Sequence, residues 1–449
     1  MKILKVLLVL SVFFLPSCDA PQNAAVSTFT VTASGDGSET ITPSAAQTVN
    51  SGDTQAFAVT TSGAYGINTS VGGTCPAGSW SGGTYTTGSI SADCTVIFGA
   101  TFKVYAGGYS TNSSNISIPG YWVNGTWNGL VNGATGDATK TALVKAMVVS
   151  GSDAYAAGYS TNSSNINIPG YWKNGTWNGW VNGATGDATK SASVVAFAVS
   201  GTDLYGGGTS TNSSNISIPG YWKNGTWVGL VNGATGDATK PASVVTVVVS
   251  NTDVYAGGSS TNTSNIGIPG YWKNGSWVGL VNGATGDATK GAYVEALAVS
   301  GSDVYAAGFS TNSSNINIAG YWKNGTWAGL VNGATGDATK DSEVIAIAVS
   351  GTDVYAGGDS VNSSNIYIAG YWKNGTWNGL VNGVTGDATQ TSYPEAMVVK
   401  GSDIYVAGYC RNSSSVGIAG YWKNGTWTGF VNGATGDATK AAAVIALAS

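Results

Sequence analysis

The pair Tyr-Trp recurs at Tyr121-Trp122, Tyr171-Trp172, Tyr221-Trp222, Tyr271-Trp272, Tyr321-Trp322, Tyr371-Trp372 and Tyr421-Trp422, spaced by 50 residues each time without an insertion. Such a period constrains the fold strongly, because each copy is one supersecondary unit whose apolar face only its neighbours can bury. Within a copy the pattern is one of short strands and tight turns. In residues 191–232, 193–199 reads as a β-rich first strand, Ser200-Gly201-Thr202-Asp203 as a turn and 204–208 as a second strand. Residues 210–215 form a polar loop, 216–223 a third strand and 226–231 a fourth. Asn224-Gly225 marks a two-residue hairpin, since both positions tolerate positive φ. The expectation is an all-β fold: a seven-bladed β-propeller of four-stranded blades over residues 102–449.

The phase of the copies bears on closure. The first begins at Phe102-Lys103-Val104-Tyr105, a second strand, and the last segment, Val444-Ile445-Ala446-Leu447-Ala448, is a first strand. The last strand is therefore expected to complete the first blade and remove exposed sheet edges. A two-residue hairpin sets Trp222 opposite Trp227, and the same pair recurs in every copy. Each such pair contributes about 0.2–1 kcal/mol, and these rings are expected between blades rather than as sugar-stacking platforms. Tyr-x-x-Gly-Gly in the second strand, followed by Tyr-Trp and Gly-Thr-Trp, resembles kelch repeats over residues 102–449. That resemblance implies architecture, since one such fold hosts many activities.

The chain starts MKILKVLLVLSVFFLPSC. Lys2 and Lys5 give a positive start, and residues 3–15 are mostly apolar but short for a membrane span. A small residue before a Cys after such a run resembles the lipobox of bacterial lipoproteins. The resemblance implies cleavage before Cys18, acylation of Cys18 and anchoring by two or more acyl chains, each CH₂ contributing about 0.8 kcal/mol. The rival is an ordinary signal peptide with an incidental Cys. Asp19 implies inner-membrane retention in enteric bacteria, while other groups favour the outer membrane or surface. Residues 19–26 read as a tether.

Residues 27–98 have a different texture. Phe29-Thr30-Val31-Thr32 and Ala56-Phe57-Ala58-Val59-Thr60 alternate as strands do, with Gly35-Asp36-Gly37 and Gly52-Asp53 as turns. This order resembles bacterial surface repeats of the internalin B type, and the simplest role is a spacer. Cys75 and Cys94 are expected to form a disulfide in an exported compartment. Closing a loop of roughly 20 residues adds about 3 kcal/mol. Metal-binding thiols are the rival reading, without a His partner or C-x-x-C spacing.

Composition then removes functions. The chain has no His, and Arg411 is its single Arg. A Ser-His-Asp triad, the arginine triad of sialidases and the His ligands of copper oxidases are all excluded. A net charge of −5 argues against a nucleic-acid partner. No catalytic residue, metal or cofactor is expected, and the chain is expected to be a monomer. A two-carboxylate glycan-cleaving enzyme and a purely structural envelope protein stand as alternatives to a non-catalytic binding or adhesion module.

Strand directions put the polar loop and the Asn-Gly-Ala-Thr-Gly-Asp-Ala-Thr-Lys connection on one face, the expected binding face. Its repeated Asp and Lys, such as Asp237 and Lys240, read first as turn chemistry and second as a ligand ring. More informative are the positions that differ between copies. One column reads Lys145, Val195, Val245, Glu295, Ile345, Glu395 and Ile445. Two residues earlier it reads Leu143, Ser193, Ser243, Tyr293, Glu343, Tyr393 and Ala443. Asp341, Asp359 and Cys410-Arg411 also stand out. Glu295, Glu343 and Glu395 are the three Glu of the repeats, on successive first strands beside Tyr293 and Tyr393. All these variable residues are expected towards the long-loop face, several ringing the mouth of a central channel, with the Glu and Tyr forming a patch on one side suited to a cation, an amine, a sugar or a protein ligand. The bland alternative is drift at exposed strand ends.

Overall fold

The computed structural model describes residues 26–61 and 63–448, so Cys18, the apolar leader and almost all of the tether lie outside the described residues. The chain divides into two compact units, Met1–Thr61 with Ile67–Thr101 and Ser62–Gly66 with Phe102–Ser449. Among the described residues every regular element is a β-strand.

The smaller unit holds two four-stranded sheets. In one, Thr28–Ser34 pairs antiparallel with Gln47–Asn50 and parallel with Cys94–Ile97. In the other, Ala56–Thr61 lies between Glu39–Thr42 and Thr84–Thr86. Alternation turns Phe57 and Val59 inward, where they join Val31, Ile90, Val96 and Phe98 in one core. The expected disulfide is present between Cys75 and Cys94, with sulfurs 2.04 Å apart.

In the larger unit, the described residues of the repeats form seven four-stranded antiparallel sheets, sheet 1 to sheet 7 in chain order. Sheet 3 is typical: Ala192–Ser200, Asp203–Thr211, Ser217–Lys223 and Thr226–Gly229. In sheet 1 the inner strand is Ala442–Ala448, paired with Tyr105–Thr111. The same strand packs against the inner strands of sheet 2, Ala142–Ser150, and sheet 7, Ser392–Lys400.

The hairpin reading is borne out: Asn224 and Gly225 have φ of 50° and 83°, and Trp222 faces Trp227 across the register. Trp222 is fully buried between sheets 2 and 3 with Phe197, Val194 and Ala157. Trp227 lies against Gly183 of the preceding copy, where any Cβ would overlap its ring. Glycine at that position is therefore a packing requirement.

Two strand ends differ from expectation. The second strand runs to Thr211, because Ser210 is fully buried and its hydroxyl is tied to Asn182 and to the Ala184 N–H of the preceding copy. The fourth strand stops at Gly229. Leu230 turns inward, its N–H bonded to the Pro219 carbonyl at 2.8 Å.

The connections between sheets are organised by a buried asparagine. Asn232 Nδ2 donates to the Pro241 and Thr261 carbonyls, each at 2.9 Å, and its Oδ1 accepts from the Ala234 and Thr235 N–H groups. Thr261 belongs to the next sheet, so one side chain ties two sheets together. Asn432 makes the same bond to Thr111 of sheet 1 at 3.0 Å.

Each inner strand also carries a β-bulge. Val144 faces Gly158 and Ala146 faces Ala157, leaving Lys145 without a cross-strand partner. The same shift leaves Glu295, Ile345, Glu395 and Ile445 unpaired.

Candidate functional site

The bulge decides where the variable residues go. The extra residue of a bulge leaves the ladder and its side chain is re-aimed. Here the bulged residues converge on a cavity of about 360 Å³, whose lining includes Lys145, Val245, Glu295, Ile345, Glu395 and Ile445. Burial, with the charge of Glu343 adding, raises the Glu295 carboxyl to about 7. Burial also raises Glu395 to about 7, opposed by Lys145 and reinforced by Glu343. Desolvation disfavours the ionised form of each.

A second group lies between sheets 6 and 7. Glu343 pairs directly with Asp359 across neighbouring strands, so both side chains project from one face of sheet 6. Asp359 is 1 % exposed, and its Oδ1 has no hydrogen-bond partner among the described residues. Burial first, then the charges of Glu343, Glu395 and Asp341, hold the Asp359 carboxyl well above the usual range. Glu343 is raised by burial and by Asp341. Asp341 is fixed by the Asn317 N–H, which donates to its Oδ1 at 2.8 Å.

Aromatic rings flank these acids. Tyr367 and Tyr393 have ring centroids 5.5 Å apart, and Tyr393 and Tyr409 5.1 Å. Tyr367 precedes Ala369, the strand partner of Asp359, by two residues, and so shares its face. The Tyr393 phenol is raised by burial and lowered by exposed Arg411.

The residues read as one rim thus fall into separate sets. Lys145, Glu295 and Glu395 line the cavity. Asp341, Glu343, Asp359, Tyr393 and Arg411 gather at sheets 6 and 7, coupled to the first set by charge. Tyr293 stands apart, packed on Phe309 at 5.2 Å and against Gly267 of sheet 4. The reason is the bulge, which gives columns two residues apart different environments. Tyr367 and Tyr409 were not singled out from the sequence. The signal for Tyr367 lay in the third-strand column Ser117, Asn167, Ser217, Gly267, Asn317, Tyr367 and Gly417, where it is the single bulky residue.

Other expected positions are structural. Asp237 Oδ1 accepts from the Thr239 N–H at 2.8 Å, the turn chemistry expected of it. Lys240 is not simply solvated: its Nζ donates to Asn265 Oδ1 of the next sheet at 2.9 Å. Buried Cys410 stands where other copies have Ser, its Sγ accepting the Gly383 N–H at 3.2 Å. Among the described residues no group of three or more His, Cys, Asp or Glu is arranged to hold a metal ion.

No protein-family model matches the chain, and no curated protein is similar to it in sequence. Solved structures similar in fold include that of YjhT, with 12 % identity and a TM-score of 0.34 over 63 % of this chain and 96 % of that one. The six-bladed β-propeller lectin of Aleuria aurantia has 12 % identity and a TM-score of 0.37, over 65 % of this chain and 95 % of the lectin. The Trypanosoma rangeli sialidase has 11 % identity and a TM-score of 0.37, over 70 % of this chain and 56 % of the sialidase.

Proposed function

We propose that this chain is an exported, lipid-anchored, non-catalytic binding module of the bacterial envelope or cell surface. Its repeats form a closed seven-bladed β-propeller, set off from the membrane by the domain at residues 27–98. Closure is supported by the pairing of Ala442–Ala448 with Tyr105–Thr111 and by the bond from Asn432 to Thr111. The binding ground is the acidic, aromatic side formed by sheets 5 to 7. One observation carries this: Asp359, buried opposite Glu343 with an oxygen that has no partner among the described residues, occurs in one sheet of seven, and the equivalent pairs of the others carry no acid. A buried unpaired polar group costs about 1–3 kcal/mol. Such groups, with raised carboxyl pKa values, gather where a protein meets a ligand. A nearly sevenfold molecule has no preferred side unless its sheets differ, and they differ there.

The test is a screen of fragment 27–449 against glycans and envelope polymers, read for both binding and cleavage, with the triple variant Glu295→Gln, Glu343→Gln, Glu395→Gln beside it. Binding without cleavage, weakened at least about tenfold in the triple variant (roughly 1.4 kcal/mol), is expected. Cleavage products would overturn the non-catalytic reading. Unchanged affinity in a folded triple variant would move binding to the repeated loops or the small unit. The anchor has its own arm: a fatty-acid probe should label the wild type and not Cys18→Ala, and equal labelling refutes lipidation.

A further inference from the structure

We propose that the opposed acid pair of sheet 6, Glu343 and Asp359, is a site for a primary ammonium group, with the two carboxyls as acceptors and Tyr367 and Tyr393 as walls. The proposal rests on the reading of this side as the binding ground and names its ligand chemistry.

The carboxyl pair is built, not scattered. Directly opposed residues on antiparallel strands have Cβ atoms about 4.5–5.5 Å apart, so the Glu343 and Asp359 carboxyls converge on one space. The equivalent pairs in other sheets carry no acid: Leu143 with Tyr159, Ser193 with Thr209, Ser243 with Ser259. Asp341 adds a third carboxylate, held in place by a backbone N–H.

What this space lacks is a donor. Asp359 Oδ1 is buried with no partner among the described residues. Among those residues six Lys–Asp ion pairs occur, such as Lys223 with Asp203, and none involves Asp341, Glu343 or Asp359. Of the nearby cations, Lys145 acts on Glu395 and Arg411 on the Tyr393 phenol at the wall, and among the described residues neither forms an ion pair with Asp341, Glu343 or Asp359. A ligand that brings positive charge and N–H groups supplies both missing terms.

The walls narrow the choice. Tyr367 is 36 % exposed at the rim, and its ring runs on to Tyr393. Aromatic faces attract cations, and they also cover the carbon skeleton that carries an amine. A quaternary ammonium satisfies the rings but has no proton for Asp359. A metal ion satisfies the charge but not the rings, and the described acids form no metal-holding group. A primary ammonium satisfies all three.

Calorimetric titration of the full-length protein in detergent at pH 8 tests this. The probes are n-butylammonium and glucosamine, which separate a free amine from a sugar-borne one, with tetramethylammonium and N-acetylglucosamine as controls. The expected result is saturable binding of at least one amine probe, one per chain, with its control at least tenfold weaker. Asp359→Asn and Glu343→Gln should each weaken it at least tenfold, whereas Asp203→Asn, at a turn where its carboxylate pairs with Lys223, should change it less than threefold. Melting curves show that each variant folds, and partly exposed Glu343 is the safer of the two positions.

Binding should also release protons, seen as a dependence of the heat on buffer ionisation enthalpy. The groups facing the pair are Asp341, Glu395, Tyr367, Tyr393 and Arg411. The tyrosines, raised by burial, keep their protons below pH 8, so affinity must fall towards pH 5.5 as the carboxylates protonate. Absence of saturable binding by either amine, equal binding of tetramethylammonium, or indifference to both carboxylate substitutions overturns the proposal. If the amines fail while the polymer screen still finds a carboxylate-dependent ligand, the binding-module reading stands and only the ammonium assignment falls.

Discussion

Pro119, Pro169, Pro219 and Pro269 occupy the position that in sheets 5 to 7 holds Ala319, Ala369 and Ala419. Proline brings no N–H; alanine does, and buries it. The Ala319 N–H donates to Ser342 Oγ at 3.2 Å and the Ala369 N–H to Ser392 Oγ at 3.0 Å. Where the position is proline, the facing residue is Ala142, Ala192, Ala242 or Ala292, and Ala419 likewise packs with Ala442 rather than a serine. Ser392→Ala should therefore cost about 1–3 kcal/mol by orphaning a buried N–H. Adding Ala369→Pro should recover most of it, as the proline copies do. Urea midpoints check this, and a double variant less stable than the single one would defeat the argument. Such couplings were invisible in one copy read alone. The Trp222–Trp227 pair was legible because Asn-Gly fixes its own register, and Cys75–Cys94 because a domain with two cysteines and no His leaves few alternatives. Asp359 was visible as an odd residue, but its burial was not, since that depends on a neighbouring column and on the next sheet.

At the scale of elements, turns and strands could be read and the joints between them could not. Alternation in runs such as Ser193-Val194-Val195-Ala196 carries no mark of a one-residue shift, so the bulge went unseen. The connection Asn-Gly-Ala-Thr-Gly-Asp-Ala-Thr-Lys read as a long loop of the expected binding face, yet Asn232 is 1 % exposed and holds two sheets. Replacing it separates the two roles of the loop. Asn232→Asp keeps an acceptor and loses the amide donor, leaving the Pro241 and Thr261 carbonyls unpaired around a buried carboxyl. A loss of about 2–4 kcal/mol is expected. Asp237→Ala, at the exposed turn of the same loop, should produce a far smaller change. Comparable losses in chemical denaturation would mean that the turn, not the asparagine, holds the connection.

For the molecule as a whole, the proposed closure rests on the meeting of sheets 7 and 1, which differs from the contacts between the other sheets. In sheets 2 to 7 the buried tryptophan donates to the preceding copy, as Trp172 Nε1 does to the Val131 carbonyl at 3.1 Å. Trp122 Nε1 has no partner among the described residues, and Phe430 stacks on its ring at 5.2 Å instead. The strand Ala442–Ala448 spans this joint. Deleting 441–449 should expose two sheet edges and lower the melting temperature by about 10 °C or more. A synthetic peptide of that sequence should restore part of the loss. A deletion variant that melts like its parent would refute closure. The bulged inner strands have a different consequence. The six bulged residues that line the cavity, Lys145, Val245, Glu295, Ile345, Glu395 and Ile445, have no partner across the ladder, so strand pairing does not tie their identity to a neighbour. The wall of the cavity can thus be rewritten one position at a time while the ladders of the sheets around it keep their register.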